Sequence, residues 1–401
     1  MKILIADKFS EKAIEALQKL GAEIIFQPEL TADELPHNVK NTDILIVRST
    51  KVTATTIDAG SSLSLIIRAG AGINTIDLEQ ASNKGVNVAN CPGKNSDAVA
   101  ELTIGLIIAA DRKIVDQSAD LRKSIWNKKK YGKASGLKGR TLGILGYGSI
   151  GKEVASRAKS FGMHVIVYSR HMTHEKAEKE HIGYCKTPLE LARRSDIISV
   201  HLAASDQTKN LIDSTFLHTL RDETILVNTS RGEIVDQDAL LVAIKNKNLK
   251  VALDVYQDEP TANDTQFPHI ELASLITGTH HVGASTNQAS EAIAQETVKI
   301  VKTFMETGRA PNQVNTQKKS LAPYNLIIIH YNRIGVLANI LDALKKADIN
   351  VEEMENIIFS GAQTAMCSLK LDDEPSPIFL KRITLEKNII KTSLLKNIVV
   401  R

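Results

Sequence analysis

The chain has little of what marks secreted, membrane or nucleic-acid-binding proteins. Among 401 residues there are three cysteines, Cys91, Cys185 and Cys367. An odd count at wide spacing argues against a disulfide framework and a zinc cluster, so no metal is expected and a reducing compartment fits. No apolar run approaches the roughly 20 residues that a membrane helix requires. The opening "MKILIADKF" is broken by Asp7 and Lys8 and is too short for a signal-peptide core. A cytoplasmic location with no membrane partner is the expectation. Charge of one sign is also missing. Lysine and arginine number 50 and aspartate and glutamate 46, a net charge of +4. That excess is too small and too dispersed to argue for nucleic acid, and it suits small phosphorylated or carboxylated molecules equally well. No repeat recurs at solenoid periods, and no tract is of low complexity.

What is present is a strand-helix alternation. "KILIAD", "TDILIVRST" and "LSLIIRAGAG" are short, almost continuously apolar runs, and "EKAIEALQKLG" has helical spacing with a glycine stop. Such runs predict parallel strands buried on both faces. At Thr141 the pattern restarts with "TLGILGYGSIGKEVASRAKSFGMHVIVYSR", a strand, glycine turn, helix and strand in 30 residues. "RSDIISVHL", "ETILVNTS" and "KVALDVY" continue as strands, and "NQASEAIAQETVKIVKTFMETG" predicts a long helix. A polar stretch at 316–325 reads as a linker. Beyond it the expected order is strand 326–330, helix 335–346, strands 351–359 and 363–371, helix 377–387 and strand 389–394, a ferredoxin-like βαββαβ unit. The fold class is therefore α/β, with two doubly wound parallel-sheet lobes and a small C-terminal domain.

Gly146, Gly148 and Gly151 form G-x-G-x-x-G between a predicted strand and a predicted helix. The first permits the tight turn, the second lets a pyrophosphate approach the backbone, and the third lets the helix pack on the strand. Three later segments end predicted strands in polar residues, where open parallel sheets bind ligands. "VNTSRGEIVD" supplies Arg231, "LDVYQDEP" supplies Asp254 and Glu259, and "THHVGAST" supplies His280 and His281. Hydride transfer from an alcohol requires a base for the hydroxyl proton, and histidine beside a carboxylate provides one near neutral pH. A guanidinium fork matches the carboxylate of a 2-hydroxy acid. Arg, Glu and His make a coherent set.

With these motifs the sequence resembles the D-isomer-specific 2-hydroxyacid dehydrogenase family, in its phosphoglycerate dehydrogenase branch. The resemblance covers nearly the whole chain. It rests on "RAGAGIN" (68–74), "NCPGKNSDAVAEL" (90–102), "GLKGRTLGILGYGSIG" (136–151), "NTSRGEIVD" (228–236), "ALDVYQDEP" (252–260) and "HVGAST" (281–286). It implies a substrate lobe of residues 1–91 completed by 286–315, and a dinucleotide lobe of 92–285. Arg231 would hold the substrate, His281 would be the acid/base and Glu259 its partner. Arg48, Ser49, Lys51, Ala71, Gly72 and Asn95 would line the substrate side. Ser149, Ile150, His201, Thr229, Asp254 and Gly283 would join the three glycines around the cofactor, with Asp254 on the nicotinamide carboxamide. Residues 326–401 resemble an ACT domain, a ligand-sensing module, in which His330, Asn332 and Asn350 would bind L-serine between two such domains. The implied reaction is oxidation of 3-phospho-D-glycerate to 3-phosphooxypyruvate in a homodimer or homotetramer. An NADPH-dependent hydroxypyruvate or glyoxylate reductase is the alternative, and a non-enzymatic corepressor on the same scaffold is disfavoured by the intact Arg-Glu-His set.

The sequence departs from the family at His280, Ala203 and Ile334, each normally proline. It also departs at the end of "VIVYSR". There Ser169 and Arg170 replace the acidic residue that accepts from the ribose 2′-hydroxyl. Loss of that carboxylate with gain of a cation favours NADP(H) over NAD(H) within a general NAD(P) expectation.

Overall fold

The computed structural model describes residues 1–260, 266–317 and 320–396. Contacts divide it into two compact units, Met1–Asn315 and Thr316–Arg401.

The first unit holds two parallel sheets. Strands β1 (Lys2–Ile5), β2 (Glu23–Phe26), β3 (Ile44–Val47), β4 (Leu65–Arg68) and β5 (Asn87–Asn90) form one, in the order β2-β1-β3-β4-β5. Residues 3–5, 44–47 and 65–67 are fully or almost fully buried, as the unbroken apolar runs require of strands covered on both faces. Strand order reverses between β1 and β3, so a crevice opens beyond their carboxyl ends. The helix Asn287–Thr307 packs on this sheet through Ile293, Ile300, Val301 and Phe304, although almost 200 residues of chain intervene.

Strands β6 (Thr141–Leu145), β7 (His164–Tyr168), β8 (Gly183–Tyr184), β9 (Ile197–Val200), β10 (Ile225–Asn228), β11 (Lys250–Leu253) and β12 (Thr277–Gly278) form the second sheet. Its order is β12-β11-β10-β9-β6-β7-β8, and the reversal falls between β6 and β9. The helix Ser96–Arg112 packs on it through Ala100, Ile104, Leu106 and Ile107.

The second unit has β13 (Tyr324–Tyr331), β14 (Val351–Ile358), β15 (Thr364–Leu371) and β16 (Ile389–Lys396) in the order β14-β15-β13-β16, all neighbours antiparallel. With helices Val336–Lys346 and Pro377–Leu385 this is the expected ferredoxin-like unit. Its first strand begins at Tyr324, inside the stretch expected to be linker, because Tyr324 pairs with both Leu371 and Lys396. Cross-strand pairing overrides the polar local sequence there. Among the described residues no helix is long and apolar enough to cross a membrane.

Candidate active site

The turn after β10 carries the arginine. Asn228 closes it, its Oδ1 accepting from Ser230 N at 3.0 Å and Oγ at 2.7 Å, while its Nδ2 donates to the Arg231 carbonyl at 2.8 Å. Thr229 is held from behind by Thr103, Oγ1 to Oγ1 2.9 Å. Arg231 Nη1 donates to the Ser230 carbonyl at 2.6 Å. Its guanidinium lies so close over Gly72 that a Cβ there would collide with Nη2. The loop 70–72 is set by Asn90, whose Nδ2 donates to the Ala71 carbonyl at 2.7 Å. The two sheets therefore meet at Arg231.

Next to it stand His281 and Glu259. His281 Nδ1 is 2.7 Å from Glu259 Oε2, and Glu259 Oε1 accepts from Tyr256 N at 3.0 Å. Burial alone would raise the Glu259 pKa. The bond to His281, the charge of His281, the Tyr256 N–H and Arg231 outweigh it, and the carboxyl lies below its ordinary range. An ionised carboxylate can only accept, so Nδ1 carries the proton and Nε2 is left as the basic atom. Glu259 bonds His281 and not His280, which selects between the adjacent histidines.

Asp254 is bound to the loop that carries His281. It is 1% exposed, and its carboxylate is taken up by protein donors. Oδ1 accepts from Thr279 Oγ1 at 2.7 Å and Val282 N at 2.8 Å, and Oδ2 from Gly283 N at 2.9 Å. His281 N donates to the Asp254 carbonyl at 2.8 Å. In this state Asp254 clamps the loop that carries His281, which has a left-handed backbone with φ of 52°. A buried carboxylate takes the nearest donors, and three lie on that loop.

Arg48, at the end of β3, is half-buried, while Ser49 and Lys51 are exposed. The structure adds Arg68, which ends β4 within the "RAGAGIN" segment. Burial, then the neighbouring charges of Arg231 and Arg48, push its guanidinium down to about 10, and its buried Nε has no partner. An arginine closing a buried apolar strand was the available signal. Asn95 caps the helix Ser96–Arg112 without a side-chain bond.

At the second sheet's reversal, the glycine turn is closed tightly. A Cβ on Gly146 (φ 96°) would run into the His201 carbonyl, and one on Gly151 into the Gly146 carbonyl, whereas Gly148 faces open space. The helix Ser149–Ser160, which includes Ile150, begins at Gly148 with no side-chain cap, so its first N–H groups stay available to an anion. His201 Nε2 bonds Ser199 Oγ at 2.7 Å, and its buried Nδ1 has no partner. Burial pushes this imidazole down to about 3, so it is neutral. Open space at Gly148, uncapped N–H groups and an orphaned ring nitrogen fit a bound dinucleotide. At the end of β7, Ser169 is half-buried and Arg170 exposed, with Arg170 Nη1 donating to Gln207 Oε1 at 2.9 Å. Among the described residues no cluster of three His, Cys, Asp or Glu is placed to hold a metal.

In the second unit His330 is 2% exposed and pairs through Nε2 with Asn356 Oδ1 at 3.1 Å. Asn332 Nδ2 donates to the Ala362 carbonyl at 3.1 Å. Asn350 lies at the other end of the sheet, its N–H on Asp372 Oδ1 at 2.9 Å. A strand-helix-strand crossover returns the chain to the starting edge, so one protomer separates Asn350 from the other two by about 20 Å.

Residues 104–283 match the D-isomer specific 2-hydroxyacid dehydrogenase, NAD binding domain. The chain is 36% identical over 369 residues to the D-3-phosphoglycerate dehydrogenase of Methanocaldococcus jannaschii, covering 90% of this chain and 68% of that one. It is 35% identical to the hydroxypyruvate reductase of Thermotoga maritima, covering 77% of this chain and 98% of that one. The NAD+-bound 3-phosphoglycerate dehydrogenase structure from Entamoeba histolytica superposes with a TM-score of 0.67 at 29% identity, covering 79% and 99%. The chain belongs to the D-isomer-specific 2-hydroxyacid dehydrogenase family, enzymes that use a nicotinamide dinucleotide. Within it, the chain falls in the phosphoglycerate dehydrogenase branch. It spans 58–68% of the length of the phosphoglycerate dehydrogenases it matches in sequence.

Proposed function

We propose that the chain oxidises 3-phospho-D-glycerate to 3-phosphooxypyruvate, the first step of serine synthesis. The observation that carries this reading is the convergence of Arg68 and Arg231 on the loop 70–72, with Arg68 Nη1 against Gly70 and Arg231 Nη2 against Gly72, and the charge of Arg48 also acting on Arg68. A lone carboxylate needs one fork. A phosphate monoester adds close to two further negative charges. Hydroxypyruvate and glyoxylate bring only the carboxylate.

In the forward reaction the dinucleotide supplies the hydride acceptor at its nicotinamide ring. Arg231 holds the carboxylate and the C2 oxygen. Neutral His281 takes the hydroxyl proton at Nε2, and Glu259 stabilises the imidazolium that results. Arg231 favours the developing carbonyl electrostatically. Gly146, Gly148, Ser149, Ile150, Gly151, His201, Thr229 and Gly283 line the dinucleotide cleft. The first sheet with the helix Asn287–Thr307 is the substrate lobe, and closure on the second sheet excludes water.

For the cofactor we favour NADP(H), because Arg170 offers a guanidinium already oriented by Gln207 and Ser169 repels no phosphate. The same feature, with the Thermotoga similarity, favours the second reading, an NADPH-dependent hydroxypyruvate or glyoxylate reductase. Steady-state assays with phosphoglycerate, hydroxypyruvate and glyoxylate, each with both cofactors, separate the two. A kcat/KM higher for glyoxylate than for any phosphorylated substrate overturns the leading reading.

The assembly we favour is a homodimer or homotetramer in the cytoplasm. The helix Ile114–Arg122 buries none of its residues in one protomer, while Val115 and Leu121, with Ile125 and Trp126 just beyond it, are exposed. The C-terminal unit is in this reading an ACT domain that binds L-serine. His330 and Asn332 of one copy would then need Asn350 from a second.

A further inference from the structure

Asp7 follows β1 and Arg48–Thr50 follows β3, the two strands between which the first sheet reverses. One oxygen of Asp7 ties them together. Oδ2 accepts from Arg48 N at 2.7 Å, Ser49 N at 3.1 Å and Thr50 N at 3.1 Å. Three successive N–H groups converging on one point make an anion-binding nest, and here a side chain of the same protein fills it. Thr50 Oγ1 adds bonds of 3.4 Å to the Ala6 and Leu30 carbonyls. The Asp7 charge also acts on Arg68, opposing the effect of Arg48 and Arg231. Beyond Arg48 lies a cavity of about 390 Å³, lined also by Lys8, Ser10, Asn287, Ser290 and Glu291, whose Oε2 is taken by Ser10 Oγ at 3.4 Å.

We propose that Asp7 is a positioning residue for substrate choice. By gathering the 48–50 backbone it holds Arg48 at the mouth of this cavity, where the anionic group remote from C2 is received. Asp7 touches no reacting atom. Its effect falls on recognition of the second anion and leaves the Arg231–His281–Glu259 chemistry alone. The inference rests on the phosphorylated-substrate reading above.

The physical consequence is selective. Without Asp7, three N–H groups lose a charged acceptor and Arg48 is no longer held in place, so the entropy of ordering it is paid on binding. Asparagine keeps an oxygen that can accept while removing the charge. The experiment measures KM and kcat for 3-phospho-D-glycerate oxidation, kcat/KM for hydroxypyruvate reduction, and inhibition by inorganic phosphate, in wild type, Asp7→Ala and Asp7→Asn. In Asp7→Ala the KM for phosphoglycerate and the inhibition constant of phosphate should both rise about ten- to hundredfold, the range for a lost charged hydrogen bond. Its kcat and its hydroxypyruvate kcat/KM should stay near wild type. Asp7→Asn should recover part of the loss, and it carries the test if Asp7→Ala does not fold. Equal loss on both substrates in either variant, or no change in phosphate inhibition, overturns the proposal while the substrate reading stands. A wild type that shows no preference for the phosphorylated substrate overturns both.

Discussion

His281 and Glu259 lie 22 residues apart in sequence and meet at 2.7 Å between Nδ1 and Oε2. The pair fixes the tautomer that leaves Nε2 as the basic atom. Glu259→Gln should cost about ten- to hundredfold in kcat/KM, the range for loss of a charged hydrogen bond. The carboxyl of Glu259 is held below its ordinary range, so its contribution is present above that range and disappears as pH falls through the lowered value. The acid side of the kcat/KM profile for oxidation should change in Glu259→Gln, because the variant has no carboxylate to lose as pH falls. Superimposable profiles would exclude the role.

His281→Ala should lower turnover about 10²- to 10⁴-fold. Dinucleotide affinity, measured by fluorescence titration, should change little. His280→Ala should remain near wild type, because Glu259 does not bond it. A dead His280→Ala with an active His281→Ala would reverse the assignment.

Gly72→Ala should be a catalytic lesion in a folded protein. The added methyl collides with the Arg231 guanidinium. Misplacing such a group by about 1 Å can cost about 10²-fold in rate. Arg231→Lys should fail almost as badly as Arg231→Ala, because an ammonium cannot supply the planar fork. Thermal melts of Gly72→Ala close to wild type, with kcat/KM reduced, are the expected result. Unchanged kcat/KM would remove the lobe contact from the mechanism.

Arg170→Ala should weaken NADP(H) more than NAD(H). The side chain is exposed, so the selective loss should sit at the low end, about tenfold or less in kcat/KM. Ser169→Asp should move preference toward NAD(H). Equal effects on both cofactors in Arg170→Ala would leave Arg170 as a solvated residue and return the preference to NAD.

L-serine should inhibit the enzyme, and Asn332→Ala and Asn350→Ala should each weaken the response. The two residues stand at opposite ends of one sheet, so co-assembled single variants should recover part of it through mixed pairs of protomers. No inhibition at millimolar serine would reduce the C-terminal unit to an assembly module.

Much of this architecture is legible in the sequence because strand burial, helix periodicity and turn chemistry are local. The runs at 3–5, 44–47 and 65–67 read as buried strands and are buried strands. The glycine turn reads correctly because each glycine has its own steric reason within a few residues. Arg231, Glu259 and His281 stand near strand ends that the sequence marks with polar residues, and the structure brings them together. What local pattern does not carry is which strand ends face each other. Tyr324 joins a sheet from within an apparent linker for the same reason, since its pairing partners are 47 and 72 residues away.

The sequence by itself therefore determined the class of fold, the glycine turn and the residue types at the strand ends, all of which depend on residue type and short spacing. Tertiary structure decided how those groups are used. It turned Asp254 inward, where three donors of the His281 loop compete for its carboxylate. It brought Arg68 beside Arg48 and Arg231, and it closed the 48–50 backbone on Asp7, because β1, β3 and β4 lie side by side in the sheet although they are distant in the chain. It also placed Asn350 at the opposite end of its sheet from Asn332, because the crossover helix between them returns the chain to its starting edge.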